Sequence, residues 1–74
     1  MSLTVKCYAT LTGYAPPGDE IPHEQAPTVR DLLARLHIAE SEVKVVFVNG
    51  LHAPLDHPLH DNDRVGLFPA VGGG

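Results

Sequence analysis

Seventy-four residues suffice for one domain, whose core is too small to enclose a buried active site, and this argues against an autonomous enzyme. Hydrophobic residues at 43% against 19% charged are globular in balance, and a formal net charge of −4 leaves no basic stripe for nucleic acid or an anionic membrane, so protein partners with basic surfaces are expected. Cys7 alone can close no internal disulfide, no charged-then-apolar leader precedes the first strand-like segment, and the longest wholly apolar run, residues 45–48, is far too short to span a bilayer; a cytoplasmic location fits.

Leu3, Val5, Cys7 and Ala9 alternate with Thr4, Lys6, Tyr8 and Thr10, the period of a strand with one buried face, so a first strand is expected over residues 3–9. Residues 13–19 hold Gly13, Pro16, Pro17 and Gly18 and read as a turn or loop. Residues 20–25 form at most a short second strand, at an edge, because Pro22 has no amide hydrogen to give to a ladder. One helix starts at Thr28, whose hydroxyl can cap the first turn while Asp31 favours its positive end; Val29, Leu32, Leu33 and Leu36 then make a buried stripe, with Arg30, Asp31 and Arg35 facing water. Residues 43–48 are almost entirely β-branched or aromatic and stop at Asn49-Gly50, a turn signal leading into a hairpin through residues 51–55. Asp61-Asn62-Asp63 is a second turn before a last strand over residues 64–68, and a triglycine, Gly72-Gly73-Gly74, follows Val71.

Strands around a single amphipathic helix can bury that stripe only across one face of one sheet. The expected class is α+β: a β-grasp, ubiquitin-like layout with a mixed four- to five-stranded sheet, in which residues 3–9 and 64–68 pair at the centre. Residues 1–71 would form the domain and residues 72–74 a flexible glycine tail. A two-layer fold leaves one side of its sheet without a helix. Val46 and Val48 are expected inward with Val65 and Leu67, and Phe47 and Phe68 outward as docking residues unless loops cover them. Lacking Cβ atoms, the glycines can lie extended in a narrow channel, and what they present is the α-carboxylate of Gly74.

Residues 55–74, ending Phe68-Pro69-Ala70-Val71-Gly72-Gly73-Gly74, together with Thr28-Val29-Arg30-Asp31-Leu32-Leu33 and Val48-Asn49-Gly50, resemble the MoaD/ThiS sulfur carriers, and within them the small subunit of molybdopterin synthase. The resemblance implies that Gly74 is adenylated with ATP by a separate activating enzyme of the MoeB/ThiF type. It is then converted to a thiocarboxylate that delivers sulfur to an acceptor such as the large subunit of molybdopterin synthase. No cofactor would be bound by the chain itself, ATP being used by the activating enzyme. The chemistry needs such help, because a carboxylate is a poor electrophile until one oxygen becomes a good leaving group, and no side chain here supplies that step. Phe47, Phe68, Pro69, Val71, Gly72 and Gly73 are the expected partner-binding residues; residues 70–74, fully extended, reach roughly 17 Å, from a root stiffened by Pro69. Carriers for thiamine thiazole, tungsten cofactor or another sulfur pathway share the pattern, and so does a ubiquitin-like modifier; a plain interaction module would have no use for the glycines.

Other constellations read more blandly. His52, His57 and His60 lie near Asp56 and Asp61, but two prolines and the lack of a cysteine pair favour scattered loop residues over a zinc site, and no metal is expected. Cys7 has the parity of Val5 and is expected as a small, inert, buried side chain. The triglycine is no phosphate cradle, since such loops precede a helix and none follows here.

Overall fold

The structure, a computed structural model, describes residues 2–70. The expectations for Val71, Gly72, Gly73 and Gly74 lie outside the described residues.

Strand β1 spans Ser2–Cys7, and Leu3 and Val5 are fully buried on its inner side. It ends before the expected residue 9 because Ala9 takes a left-handed conformation (φ 51°), turning the chain into the 3-10 segment Ala9–Tyr14. Tyr8 still donates its amide to the Leu67 carbonyl at 3.1 Å. The expected loop over residues 13–19 contains the end of that segment and a second 3-10 turn, Pro17–Asp19. Strand β2 is only Glu20–Pro22, an edge strand as Pro22 requires, and His23–Gln25 is another 3-10 turn rather than more strand.

Helix α1 spans Val29–Arg35 and starts where the sequence places it. The Thr28 hydroxyl accepts from the Asp31 amide at 3.2 Å and donates to the Asp31 carboxylate at 2.8 Å. Val29, Leu32 and Leu33 are buried, while Arg30, Asp31 and Arg35 are exposed. Arg30 reaches the carboxylates of Glu40 and Asp56, and Arg35 donates to the Gln25 side chain.

Strand β3, Val43–Val48, turns through Asn49 (φ 54°) and Gly50 (φ 83°), the paired left-handed residues of a tight hairpin, into β4. The second arm is shorter than expected: β4 is Leu51–His52 alone. Ala53 adds one amide bond to the Val46 carbonyl, and then Pro54 ends the ladder. The following segment instead serves the helix, because the carbonyls of Leu55 and His57 accept from the first-turn amides of Arg30 and Val29. Strand β5 spans Arg64–Pro69.

The sheet order is β2-β1-β5-β3-β4, with β1 and β5 parallel and the other pairs antiparallel. This is the β-grasp arrangement, with the first and last strands paired at its centre. Val46, Val48, Val65 and Leu67 join Leu3, Val5 and the helix stripe in one buried cluster, closed at its margins by Leu11, Ile21, Ile38 and Leu59. Cys7 is half-buried rather than buried and packs at the edge of this cluster.

Candidate functional site

Alternation along β5 builds two surfaces at once. Val65 and Leu67 point into the core, so Arg64, Gly66 and Phe68 point to the side that carries no helix. The parallel register sets Lys6 beside Gly66, and the antiparallel register sets Phe47 on its other side. Phe47 and Phe68, both half-buried, meet there edge to face with centroids 5.7 Å apart. Tyr8 stacks on Phe68 at 4.4 Å, nearly parallel, and His52 packs edge-on against Phe47 at 6.1 Å.

The two phenylalanines therefore do come together on the open face, as the strand periods imply. Pro69 does not join them: it has the core-side parity of Val65 and Leu67, lies opposite Val43, and is half-buried at the end of the sheet. Its place is at the root of the tail. One further ladder bond, from the Ala70 amide to the Glu42 carbonyl at 2.9 Å, holds the chain just beyond Pro69. Beside it β3 carries a bulge, since Val43 faces Pro69 and Val45 faces Phe68, which leaves Lys44 as the extra residue.

Tyr8, Gly66, Arg64 and Lys6 belong to this face and were not singled out from the sequence. The available signal was parity: Tyr8 shares the alternation of Lys6, and once β1 and β5 are paired it falls next to Phe68. Gly66 has the role of a floor. A Cβ at that position would lie 3.6 Å from both the Tyr8 and Phe68 rings, so its absence leaves a shallow pit between the aromatic side chains. Lys6 and Arg64 also line this concavity. Lys6 is paired with Asp19 at 2.8 Å, a hydrogen bond that, with the charge of Asp19, raises its ammonium pKa above the ordinary lysine value. Arg64 makes no ion pair among the described residues.

Titratable groups elsewhere are engaged structurally. Asp63, 8% exposed, accepts from the Asn49 side-chain amide at 2.9 Å and from the His60 backbone amide at 2.8 Å; Asn49 in turn accepts from the Arg64 amide at 2.9 Å. Burial pushes the Asp63 carboxyl up, but the His60 amide, the Asn49 amide and the nearby His60 and His57 rings together outweigh it, leaving the group below its ordinary value. Burial, with a smaller contribution from Asp19, pushes the Cys7 thiol up, which disfavours the reactive thiolate. His23 bridges the Leu59 carbonyl at 2.6 Å and the Asp61 carboxylate at 3.2 Å. Among the described residues no cluster of His, Cys, Asp or Glu is arranged to hold a metal ion, and no helix is long and apolar enough to cross a membrane.

Comparison with known proteins agrees with this fold. The model of the ThiS family matches residues 5–74. Among solved structures, the chain is similar to SAMP1 from Haloferax volcanii, with 27% identity, a TM-score of 0.68 and all of both chains covered. It is also similar to a Pyrococcus furiosus protein assigned as molybdopterin converting factor, subunit 1, with 31% identity, a TM-score of 0.66, and 96% of this chain and 99% of that one covered. No curated protein matches the sequence.

Proposed function

The chain belongs to the ThiS family, and from that premise we propose that it is a sulfur carrier, acting through a thiocarboxylate at Gly74 rather than through an active site of its own. The observation that carries the reading is that the family match runs through the glycine segment to residue 74. That segment continues from β5, the strand at the centre of the sheet.

The chemistry follows from the group presented. A Gly74 carboxylate oxygen attacks the α-phosphorus of ATP in the activating enzyme, releasing pyrophosphate and leaving an acyl adenylate. A hydrosulfide equivalent from a sulfur donor then adds to the activated carbonyl and expels AMP. The product thiocarboxylate is a soft, readily ionised nucleophile able to pass its sulfur to an acceptor. The carrier supplies shape and reach: Gly72, Gly73 and Gly74 pass where side chains would not, Val71 and Pro69 form the root, and Phe47 and Phe68 form part of the docking face. The 31% identity to a molybdopterin converting factor subunit over nearly the whole chain supports molybdopterin assembly as the pathway, with a large synthase subunit as acceptor.

The test is an intact mass of the protein from its own cells, isolated without alkali or strong nucleophiles, followed by fragmentation of the C-terminal peptide. Replacement of one oxygen by sulfur at Gly74 is the expected result, and one residue added after Gly74 should abolish it. An isopeptide bond to lysine would make the protein a modifier instead. A terminus left unmodified after incubation with ATP, a sulfide donor and the host's activating enzymes would overturn the carrier reading.

A further inference from the structure

Asn49-Gly50 is a turn signal, and it is also the dipeptide in which an asparagine side chain most readily reacts with its own backbone, because glycine puts no side chain in the way of its amide nitrogen. Both residues are exposed, and the space that a Cβ on Gly50 would fill is open, so water and solvent base reach the turn. The folded hairpin holds the reactive group elsewhere. The Asn49 side-chain nitrogen donates to the Asp63 carboxylate at 2.9 Å, and its oxygen accepts from the Arg64 backbone amide, also at 2.9 Å. A carboxylate only accepts and a backbone amide only donates, so the two contacts fix the carboxamide in one orientation, aimed at the start of β5.

We propose that Asn49 is a deamidation site, held unreactive by its contacts with Asp63 and Arg64 and converted when the β3–β4 turn opens. The Gly50 nitrogen, having given its proton to solvent base, bonds to Asn49 Cγ. The bond from Cγ to the side-chain nitrogen breaks, ammonia leaves with a proton from water, and a five-membered succinimide is closed. Water then adds to one of the two ring carbonyls and opens the ring, leaving either an aspartate or an isoaspartyl linkage; no oxidant or reductant is needed. Neither product restores the contacts. An aspartate at position 49 sets a second carboxylate against Asp63, which is only 8% exposed, and removes a donor on which Asp63 relies. The isoaspartyl linkage adds a backbone atom to a two-residue turn whose paired left-handed angles, 54° and 83°, set the hairpin geometry. Conversion therefore loosens the join between the hairpin and the start of β5, and does so irreversibly.

The experiment follows replacement of the Asn49 side-chain NH2 by OH, using mass spectrometry of the peptide that contains it. The full-length protein is incubated in mildly alkaline buffer, folded and in denaturing urea. The reaction in urea should be about a hundredfold faster than in the folded protein, since only the opened turn reacts. Asp63→Asn should speed the folded-state reaction about tenfold. Leu33→Ala, a buried change on the helix and outside these contacts, should leave that rate nearly unchanged although it lowers global stability. Asn49→Asp should be less stable than the unaltered protein in urea denaturation. Equal rates in the folded and denatured protein, or an acceleration by Leu33→Ala as large as that by Asp63→Asn, would overturn the protective role of the contacts. No conversion in urea, or undiminished stability of Asn49→Asp, would overturn the site and its consequence.

Discussion

Asp63 is the side chain on which the most local structure converges. Its carboxylate joins the Asn49 side chain to the His60 amide, and its backbone carbonyl accepts from Thr4, so one residue ties the hairpin turn, the turn before β5 and the start of β1. Replacing it by Asn keeps the shape but sets an amide group against two donors, one of which loses its acceptor. The expected cost is about 1–3 kcal/mol at neutral pH, measured by urea denaturation. The pH dependence has a definite sign. The folded carboxyl titrates below its unfolded value of roughly 3.9, so its stabilisation is fully present above that pH and is lost as pH falls through the lower, folded value. The stability gap between the unaltered protein and Asp63→Asn should therefore be constant near neutrality and close in acid; a gap that widened below pH ~4 would contradict the assignment.

Elements with their own punctuation were legible from the chain. Thr28 with Asp31 marks the start of α1, Asn49-Gly50 marks the β3–β4 turn, and the alternation of residues 45–48 and 64–68 separates core from open face. What was not legible depended on distant partners or on backbone strain. Nothing local says that Ala9 turns left-handed and shortens β1, or that the Leu55 and His57 carbonyls leave the hairpin to cap a helix. Tyr8 became part of the candidate site only through its pairing with β5. Helix α1 shows both cases, because its end is set by His37 at φ 62°, with the His37 amide bonded to the Ala34 carbonyl and the Ile38 amide to Leu33. This is a Schellman cap built without the glycine that normally marks one. His37→Gly should remove the left-handed penalty and raise stability by about 1 kcal/mol, whereas Thr28→Ala at the other end should lower it by a similar amount. Chemical denaturation of the two variants checks both, and a destabilised His37→Gly would show that the imidazole contributes more than its backbone geometry.

Taken together, the fold uses one strand for two jobs. β5 lies between β1 and β3 at the middle of the sheet, so its inward residues hold the protein together while its outward residues lie on the open face proposed for docking and its end leads to the glycines. These jobs should separate by parity. Leu67 is fully buried, and Leu67→Ala removes its packing at a cost of about 2–5 kcal/mol. A domain of this size has only about 4–11 kcal/mol in total, so that variant gives up roughly half of its stability and should unfold at a clearly lower temperature. Phe68, one residue on, stacks with Tyr8 on the surface, and Phe68→Ala forfeits about 0.5–1.5 kcal/mol of aromatic pairing with the core left intact. It should fold normally by circular dichroism and yet be adenylated poorly at limiting carrier concentration, with activity recovering as carrier is raised. Leu67→Ala should instead lose activity in proportion to its unfolded fraction. If Phe68→Ala were adenylated as well as the unaltered protein at every concentration, recognition would have to reside in the tail and its root alone, and the open face would be free surface.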